Sequence, residues 1–338
     1  MKKRSLLKKM MSGKSALLII LILIVLVITY IDTPGSFTTG NAKQLLSNLC
    51  FAGIFGVGVA MLLMGGGFDF ATSAHATIST LIFLKCMQWF PGIPWTVAAL
   101  AAIITGALCG GINAFLAHGL RLMPFIATIG MASVWGGLAR WATKGNYVAI
   151  NNPAFTKMSS ATIGSTPIPW LFVFVVAVII VYSFVLKWTR FGRSILMVGG
   201  NPLASRLAGL NPNKIKSMLY VNNGILAAIG GLIWSSQQKM YNPTGLIVLM
   251  PEMTALTSAI LGGISFMGGS GSLGAAFCGV ILISVLSYAL QSMQLPLWFV
   301  TLVNGMLLVI ALTLDSFKTR KTRKNMASSK MIMPGMNK

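Results

Sequence analysis

Apolar runs about as long as a bilayer is thick recur along the whole of this 338-residue chain, and no other feature restricts its fold so strongly. A hydrocarbon core of about 30 Å takes roughly 20 residues of helix, and lipid offers no partner to an unpaired backbone N–H or C=O. Helices are therefore expected at 15–31, 44–65, 71–90, 94–117, 122–142, 169–187, 217–237, 252–267, 273–291 and 296–314. The runs at 71–90 and 252–267 are polar or glycine-rich, so eight full spans with re-entrant segments is the alternative to ten. Either way the fold class is an all-α polytopic membrane protein. Composition agrees: mean hydropathy is +0.80, and four acids against 26 bases cannot build the mixed-charge surface of a soluble enzyme.

The formal net charge of +22 could reflect nucleic acid, anionic lipid or membrane topology. Nucleic-acid binding needs bases clustered on a soluble face with aromatics between them. Here the bases sit in short segments between apolar runs, which excludes that class. The first run follows Lys2, Lys3, Arg4, Lys8, Lys9 and Lys14 and ends in TYIDTPGS without a small-x-small cleavage site, so it reads as an uncleaved anchor. With the N-terminus in the cytoplasm and ten alternating spans, the inner side receives the N-tail bases, Arg121, the bases of 187–216 and those beyond 317. The outer side keeps only Lys43, Lys85, Arg140, Lys144, Lys157 and Lys239. That bias follows the positive-inside rule and places both termini in the cytoplasm. The domain reading is a basic tail at 1–14, a single transmembrane unit at 15–316 and a basic tail at 317–338, irregular from Lys318. Within the unit, 188–216 faces inward and the turn-rich segment 143–168 faces outward.

Catalytic chemistry is poorly represented. His75 and His118 are far apart and are read as lacking carboxylate partners. Cys50, Cys86, Cys109 and Cys278 form no CxxC pair and read as apolar packing residues. SGKS at 12–15 mimics the end of a phosphate-binding loop, but Lys8 stands where the first glycine would be required. The chain should therefore carry no ATPase of its own. Asp69 either caps the helix that follows it or marks a polar path through the membrane. Glu252 follows Pro251 and suits a first-turn position in a helix. Asn113, Asn222, Asn223, Asn304 and Gln237 need partners between helices or a polar solute in a cavity. Asp69, Asn113, Asn222 and Asn304 are the candidates for a translocation path. Glycines in 56–67, 106–111, 230–232 and 262–275 allow close helix packing and broken helices, which suits a transporter better than an anchor.

Residues 188–216, WTRFGRSILMVGGNPLASRLAGLNPNK onward, are the least apolar interior stretch. GGNP reads as a turn. PLASRLAG, 202–209, reads as a two-turn helix with Pro202 at its start and Gly209 as its C-cap. Such a helix could dock in a groove of another protein or lie on lipid, held by its bases.

The run FGRSILMVGGNPLASRLAGLNPNKIKSMLYVNNGILAAIGGLI (191–233) resembles the diagnostic segment of ABC-transporter permeases for ribose and related monosaccharides. LMPFIATIGM (122–131), AILGGISFMGGSGSLGAAFCGVILISVL (259–286) and GVGVAMLLMGGGFD (56–69) are similar to three further segments of that family. The resemblance covers roughly 37–315. It departs after the glycines, where FDFATSAH stands in place of an LSVGS-like run and introduces His75.

The resemblance implies a type II-importer-like permease fold in a bacterial cytoplasmic membrane. It implies cytoplasmic ATPase subunits, a second permease copy or paralogue and an external solute-binding protein as partners, with lipid around the whole. The chain itself would bind no cofactor, ATP and Mg belonging to the partner ATPase. Gly199, Gly200, Asn201, Ala204, Arg206, Leu207 and Gly209 would then couple the chain to that ATPase. Competing readings are a secondary transporter or channel, a membrane scaffold, and a permease for a nucleoside or branched-chain amino acid.

Overall fold

The computed structural model describes residues 13–33, 35 and 38–331, so the N-tail at 1–12 and the last residues, 332–338, lie outside it. The fold is almost wholly helical. In chain order the helices are α1 (Gly13–Asp32), α2 (Thr39–Met64), α3 (Thr72–Trp89), α4 (Trp95–Ala114), α5 (Pro124–Thr143), α6 (Pro153–Ser160), α7 (Trp170–Trp188), α8 (Arg190–Gly200), α9 (Pro202–Leu207), α10 (Pro212–Gln238), α11 (Gly245–Leu249), α12 (Pro251–Leu261), α13 (Leu273–Ser292) and α14 (Leu297–Met331). A π-helical turn, Phe115–Gly119, continues α4, and two short strands, β1 (Val148–Ala149) and β2 (Met240–Tyr241), pair antiparallel.

A helix stands at each of the ten expected positions. Six are long and apolar enough to cross a membrane: Thr39–Met64, Trp95–Gly119, Trp170–Trp188, Pro212–Gln238, Leu273–Ser292 and Trp298–Phe317. Leu17–Asp32 and Gly245–Leu261 are shorter apolar helical segments. Helix α12 rises only about 16 Å at 1.5 Å per residue, half a bilayer core. It is joined to α11 through Met250, whose φ of 45° breaks the helix ahead of Pro251. Three expectations are corrected. The chain beyond Lys318 was read as irregular, yet α14 continues as helix to Met331. GGNP was read as a turn, yet Gly199 and Gly200 are the last residues of α8, and the break falls at Asn201, with φ −155° and ψ 98°. The helix read at 202–209 ends at Leu207.

The centre is built from α2 and α10. Two thirds (67%) of the apolar window of each is buried inside the protein, against 11% for the window in α14. Helix α10 packs on α2, α3 and α4, while α2 also meets α7, α12 and α13. Lipid gives no hydrophobic drive between helices, so contact distance decides how well they hold. Glycines set that distance here. A Cβ on Gly106 or Gly110 of α4 would strike the α10 backbone at Gly224 or Tyr220, and one on Gly224 would strike Gly106. Gly279 of α13 and the Ser258 carbonyl of α12 meet in the same way.

The two ends of the bundle differ. At one end, 143–168 folds back over the helices: Val148 pairs with Tyr241, Phe155 stacks on Phe83, the Ser236 hydroxyl donates to the Phe155 carbonyl at 2.8 Å, and Lys43 Nζ donates to the Ser160 carbonyl at 2.6 Å. At the other end the loops after α2 and α12 converge on the last turn of α8.

Candidate functional site

The convergence is a knot of glycines from the loops after α2 and α12 and from the last turn of α8. The Gly269 amide donates to the Met64 carbonyl at 2.9 Å. A Cβ on Gly199 would overlap that same carbonyl and press on the Gly269 nitrogen, and one on Gly268 would lie 2.8 Å from the Gly66 Cα. Gly268 and Gly269 take φ values of +83° and +75°, which L side chains avoid. Lys216 Nζ donates to the Gly66 carbonyl at 3.2 Å and the Tyr220 hydroxyl to the Phe68 carbonyl at 2.9 Å, so α10 holds the first loop from below. GGG at 65–67, GG at 199–200 and GG at 268–269 therefore serve one contact. Helix α8 is seated there at its C-terminal end, while Thr189 caps its start by accepting from the Gly192 amide at 3.1 Å.

Helix α9 projects from this knot. Asn201 ends α8 and starts α9, its side-chain oxygen accepting from the Leu203 and Ala204 amides, both at 3.0 Å. Pro202 fills the first helical position. Ser205 is buried and donates to the Asn201 carbonyl at 2.9 Å, while Leu203 is 68% exposed and Leu207 85%. The Gly209 amide closes the helix on the Arg206 carbonyl at 3.0 Å, with φ +82° in open space. The predicted Gly209 terminator thus sits one residue past the cap residue Ala208. Asn201, Ala204, Arg206, Leu207 and Gly209 form the tip, and Gly199 and Gly200 form its root.

Beneath the knot lies a buried polar cluster around Asp69, 1% exposed. Its Oδ1 accepts from the Ala71 amide at 2.9 Å and from Asn113 Nδ2 at 3.0 Å. Its Oδ2 accepts from Asn223 Nδ2 at 3.3 Å, and Asn223 also donates to Thr72 Oγ1 at 2.8 Å. His75 Nδ1 is 3.6 Å from Asp69 Oδ2, and His75 Nε2 is 3.2 Å from Asn113 Nδ2. One residue pair further, Ser73 donates to Glu252 Oε1 at 2.9 Å, tying α3 to the first turn of α12. The cap residue of α3 is Ala71, with no side-chain cap, so Asp69 acts from two positions upstream and reaches two other helices as well.

Of the four path candidates, the structure brings together Asp69 and Asn113. Asn222 points elsewhere, accepting from the Tyr182 hydroxyl of α7 at 2.5 Å. Asn304 on α14 keeps a buried Oδ1 with no partner among the described residues. Gln237 donates to the Ser47 carbonyl at 2.8 Å, an interhelical tie between α10 and α2. Sequence reasoning gives His75 no carboxylate partner, which the cluster corrects, and leaves Asn223 out of the path candidates although Asn223, not Asn222, reaches Asp69. The missed signal is helical phase: Tyr220, Asn223 and Ala227 recur at three- and four-residue spacing on the buried stripe of α10, which Asn222 leaves by a turn of about 100°.

No group of three or more His, Cys, Asp or Glu that could hold a metal ion occurs among the described residues. The cluster therefore offers hydrogen-bonding groups and charge, arranged to tie elements together. A surface groove of about 450 Å³ opens beside α10, lined by residues including His118, Asn213, Lys214 and Ser217.

Comparison with known proteins places these elements in context. The family model described as "Branched-chain amino acid transport system / permease component" matches residues 41–312. The chain is 33% identical over 212 residues to an autoinducer 2 import system permease protein LsrC of Klebsiella pneumoniae, covering 62% of this chain and 60% of that protein. It is 30% identical over 299 residues to LsrD of the same organism, covering 85% and 88%. It is 25% identical over 297 residues to the ribose import permease protein RbsC of Haemophilus influenzae, covering 86% and 90%. The match spans both the glycine knot and the helix that projects from it, and the chain belongs to this family of membrane-embedded permease components.

Proposed function

We propose that this chain is the permease subunit of an ATP-driven importer in the bacterial cytoplasmic membrane, and that its solute is a monosaccharide. The observation that carries the coupling role is α9: a short capped helix with Leu203 and Leu207 almost fully outside the protein, rooted in a junction that has no slack. An exposed leucine pair on a rigid root suits the groove of a partner subunit. The partners are cytoplasmic ATPase subunits that bind ATP and Mg, a second permease copy or paralogue, and an external solute-binding protein. With both termini read as cytoplasmic from the bias of basic residues, α9 lies on the ATPase side. Closure of the ATPases on ATP would push α9, and its glycine root would pass the movement to the loops after α2 and α12. Asp69 and Asn113 would then belong to the elements that move, with Asn222 and Asn304 as path candidates on other helices. Relatives named for ribose, galactose, arabinose and allose support the sugar reading. The higher identity to autoinducer 2 permeases favours their solute as the second reading.

The test combines purification in detergent, identification of co-purifying chains, and uptake in proteoliposomes of labelled ribose, galactose, arabinose, allose and autoinducer 2. Ala204→Glu, on the exposed helix, should leave the permease folded, weaken ATPase co-purification and lower uptake about tenfold, the effect of losing roughly 1.4 kcal/mol at an interface hot spot. Normal uptake with the ATPase still bound would rule the coupling role out.

A further inference from the structure

We propose that His75 is a proton-binding site, and that its occupancy decides whether α4, through Asn113, holds the Asp69 carboxylate. His75 is fully buried in the first half of α3, and its two ring nitrogens face different elements. Asn113 Nδ2 of α4 donates to Asp69 Oδ1 at 3.0 Å and lies 3.2 Å from His75 Nε2. An amide nitrogen only donates, so Nε2 accepts and the hydrogen of the neutral ring sits on Nδ1, facing Asp69 Oδ2 at 3.6 Å. In this state Asn113 bridges both groups, and its own Oδ1 is buried with no partner.

A proton arriving from water on Nε2 turns that nitrogen into a donor. Two N–H groups then oppose each other at 3.2 Å. Half a turn of the Asn113 amide resolves the conflict, because its idle Oδ1 accepts from Nε2–H. That same oxygen then faces Asp69 Oδ1, so the Asn113–Asp69 hydrogen bond is lost. The imidazolium meanwhile attracts Asp69 Oδ2 from 3.6 Å. One proton is gained and no other covalent bond changes; Asp69 loses its partner on α4 and keeps the Ala71 amide, Asn223 of α10 and the now cationic His75 ring. The loop that carries Asp69 also carries Gly66, which packs on Gly268 and on Gly199. The loss therefore loosens α4 from the junction that roots α9. The other titratable groups facing the site are Glu252 of α12, with Oε2 buried and unpartnered, Cys109 of α4 and Tyr220 of α10, all within electrostatic range of Asp69.

The chain has two histidines, so His118→Gln leaves His75 as the only imidazole. The purified His118→Gln permease, labelled with ring 15N-histidine, reads the tautomer without any solute or ATPase. The expected spectrum has a bare Nε2 and a protonated Nδ1 at about pH 8, with both nitrogens protonated at the acid end of a titration carried to about pH 4. A protonated Nε2 at about pH 8, or no titration down to about 4, overturns the proposal. The uptake arm rests on the importer reading. Uptake in the unaltered protein should fall to about half of its pH 8 rate at the midpoint of the 15N titration, as for a single titrating group. His75→Gln should flatten the profile relative to its own rate at pH 8, while Glu252→Gln should keep it. A profile flattened by Glu252→Gln and kept by His75→Gln overturns the assignment to His75. Failure of the importer reading instead removes uptake at every pH and leaves the 15N titration standing, so the two failures are distinguishable.

Discussion

Gly199 and Gly209 lie at opposite ends of the short stretch around α9, and each is glycine for a different reason. Gly199 has ordinary helical backbone and no room: any Cβ overlaps the Met64 carbonyl. Gly209 has room on every side and a φ of +82°. The first fixes the root of α9 by close contact, and the second only ends the exposed helix. The difference teaches where a substitution would be transmitted. A change at the root must move two loops and the end of α8, whereas a change at the tip moves an exposed surface.

The largest expected effect follows from that contrast. Gly199→Ala should cost on the order of 3 kcal/mol, because backbone rather than a flexible side chain must yield. Monodisperse yield and thermal melting in detergent would show most of the protein lost; a near-normal melting curve would mean that the knot has slack. Asn223→Leu comes next. It removes donors to Asp69 Oδ2 and Thr72 Oγ1 at a buried site, which costs about 1–3 kcal/mol, and the melting temperature should drop at any pH. Asn201→Ala loses the two amide bonds that start α9, about 1 kcal/mol. Because α9 is exposed, that loss should appear as faster proteolysis at 202–209 before it appears in melting. Gly209→Ala should be mildest, at about 1 kcal/mol or less of strain from the left-handed backbone with no steric clash. Equal melting shifts for Gly199→Ala and Gly209→Ala would erase the distinction between root and tip.

Much of the bundle was legible in the chain. Apolar length located the long helices, because a span must carry its own hydrogen bonds, while the weaker segment read at 252–267 is helical only to Leu261. Pro202 at the start of PLASRLAG and Gly209 at its end marked α9, since helix ends are local chemistry. Local reading failed where a residue answers to a distant one. GG at 199–200 looks like a turn in isolation, yet it is helical because Met64 and Gly269 occupy the space a side chain would need. Glu252 was placed in a first turn, where it is, but its tie to Ser73 joins residues far apart in the chain. His75 was given no carboxylate partner, although Asp69 is its near neighbour in sequence, because only the fold of the loop turns the two side chains together.

Sequence by itself determined that this chain lives in a membrane, where its long apolar helices fall, and that a basic, turn-rich stretch interrupts them. Those properties follow from hydropathy and from hydrogen bonds closed within a few residues. Tertiary structure alone decided that three glycine-rich segments are one junction, and that Asp69, His75, Asn113, Asn223 and the Ser73–Glu252 pair crowd beneath it. The physical reason is that contact between backbones, and the pairing of buried polar atoms, depend on which helices meet and in what rotation. A sequence read one segment at a time carries no coordinate for either.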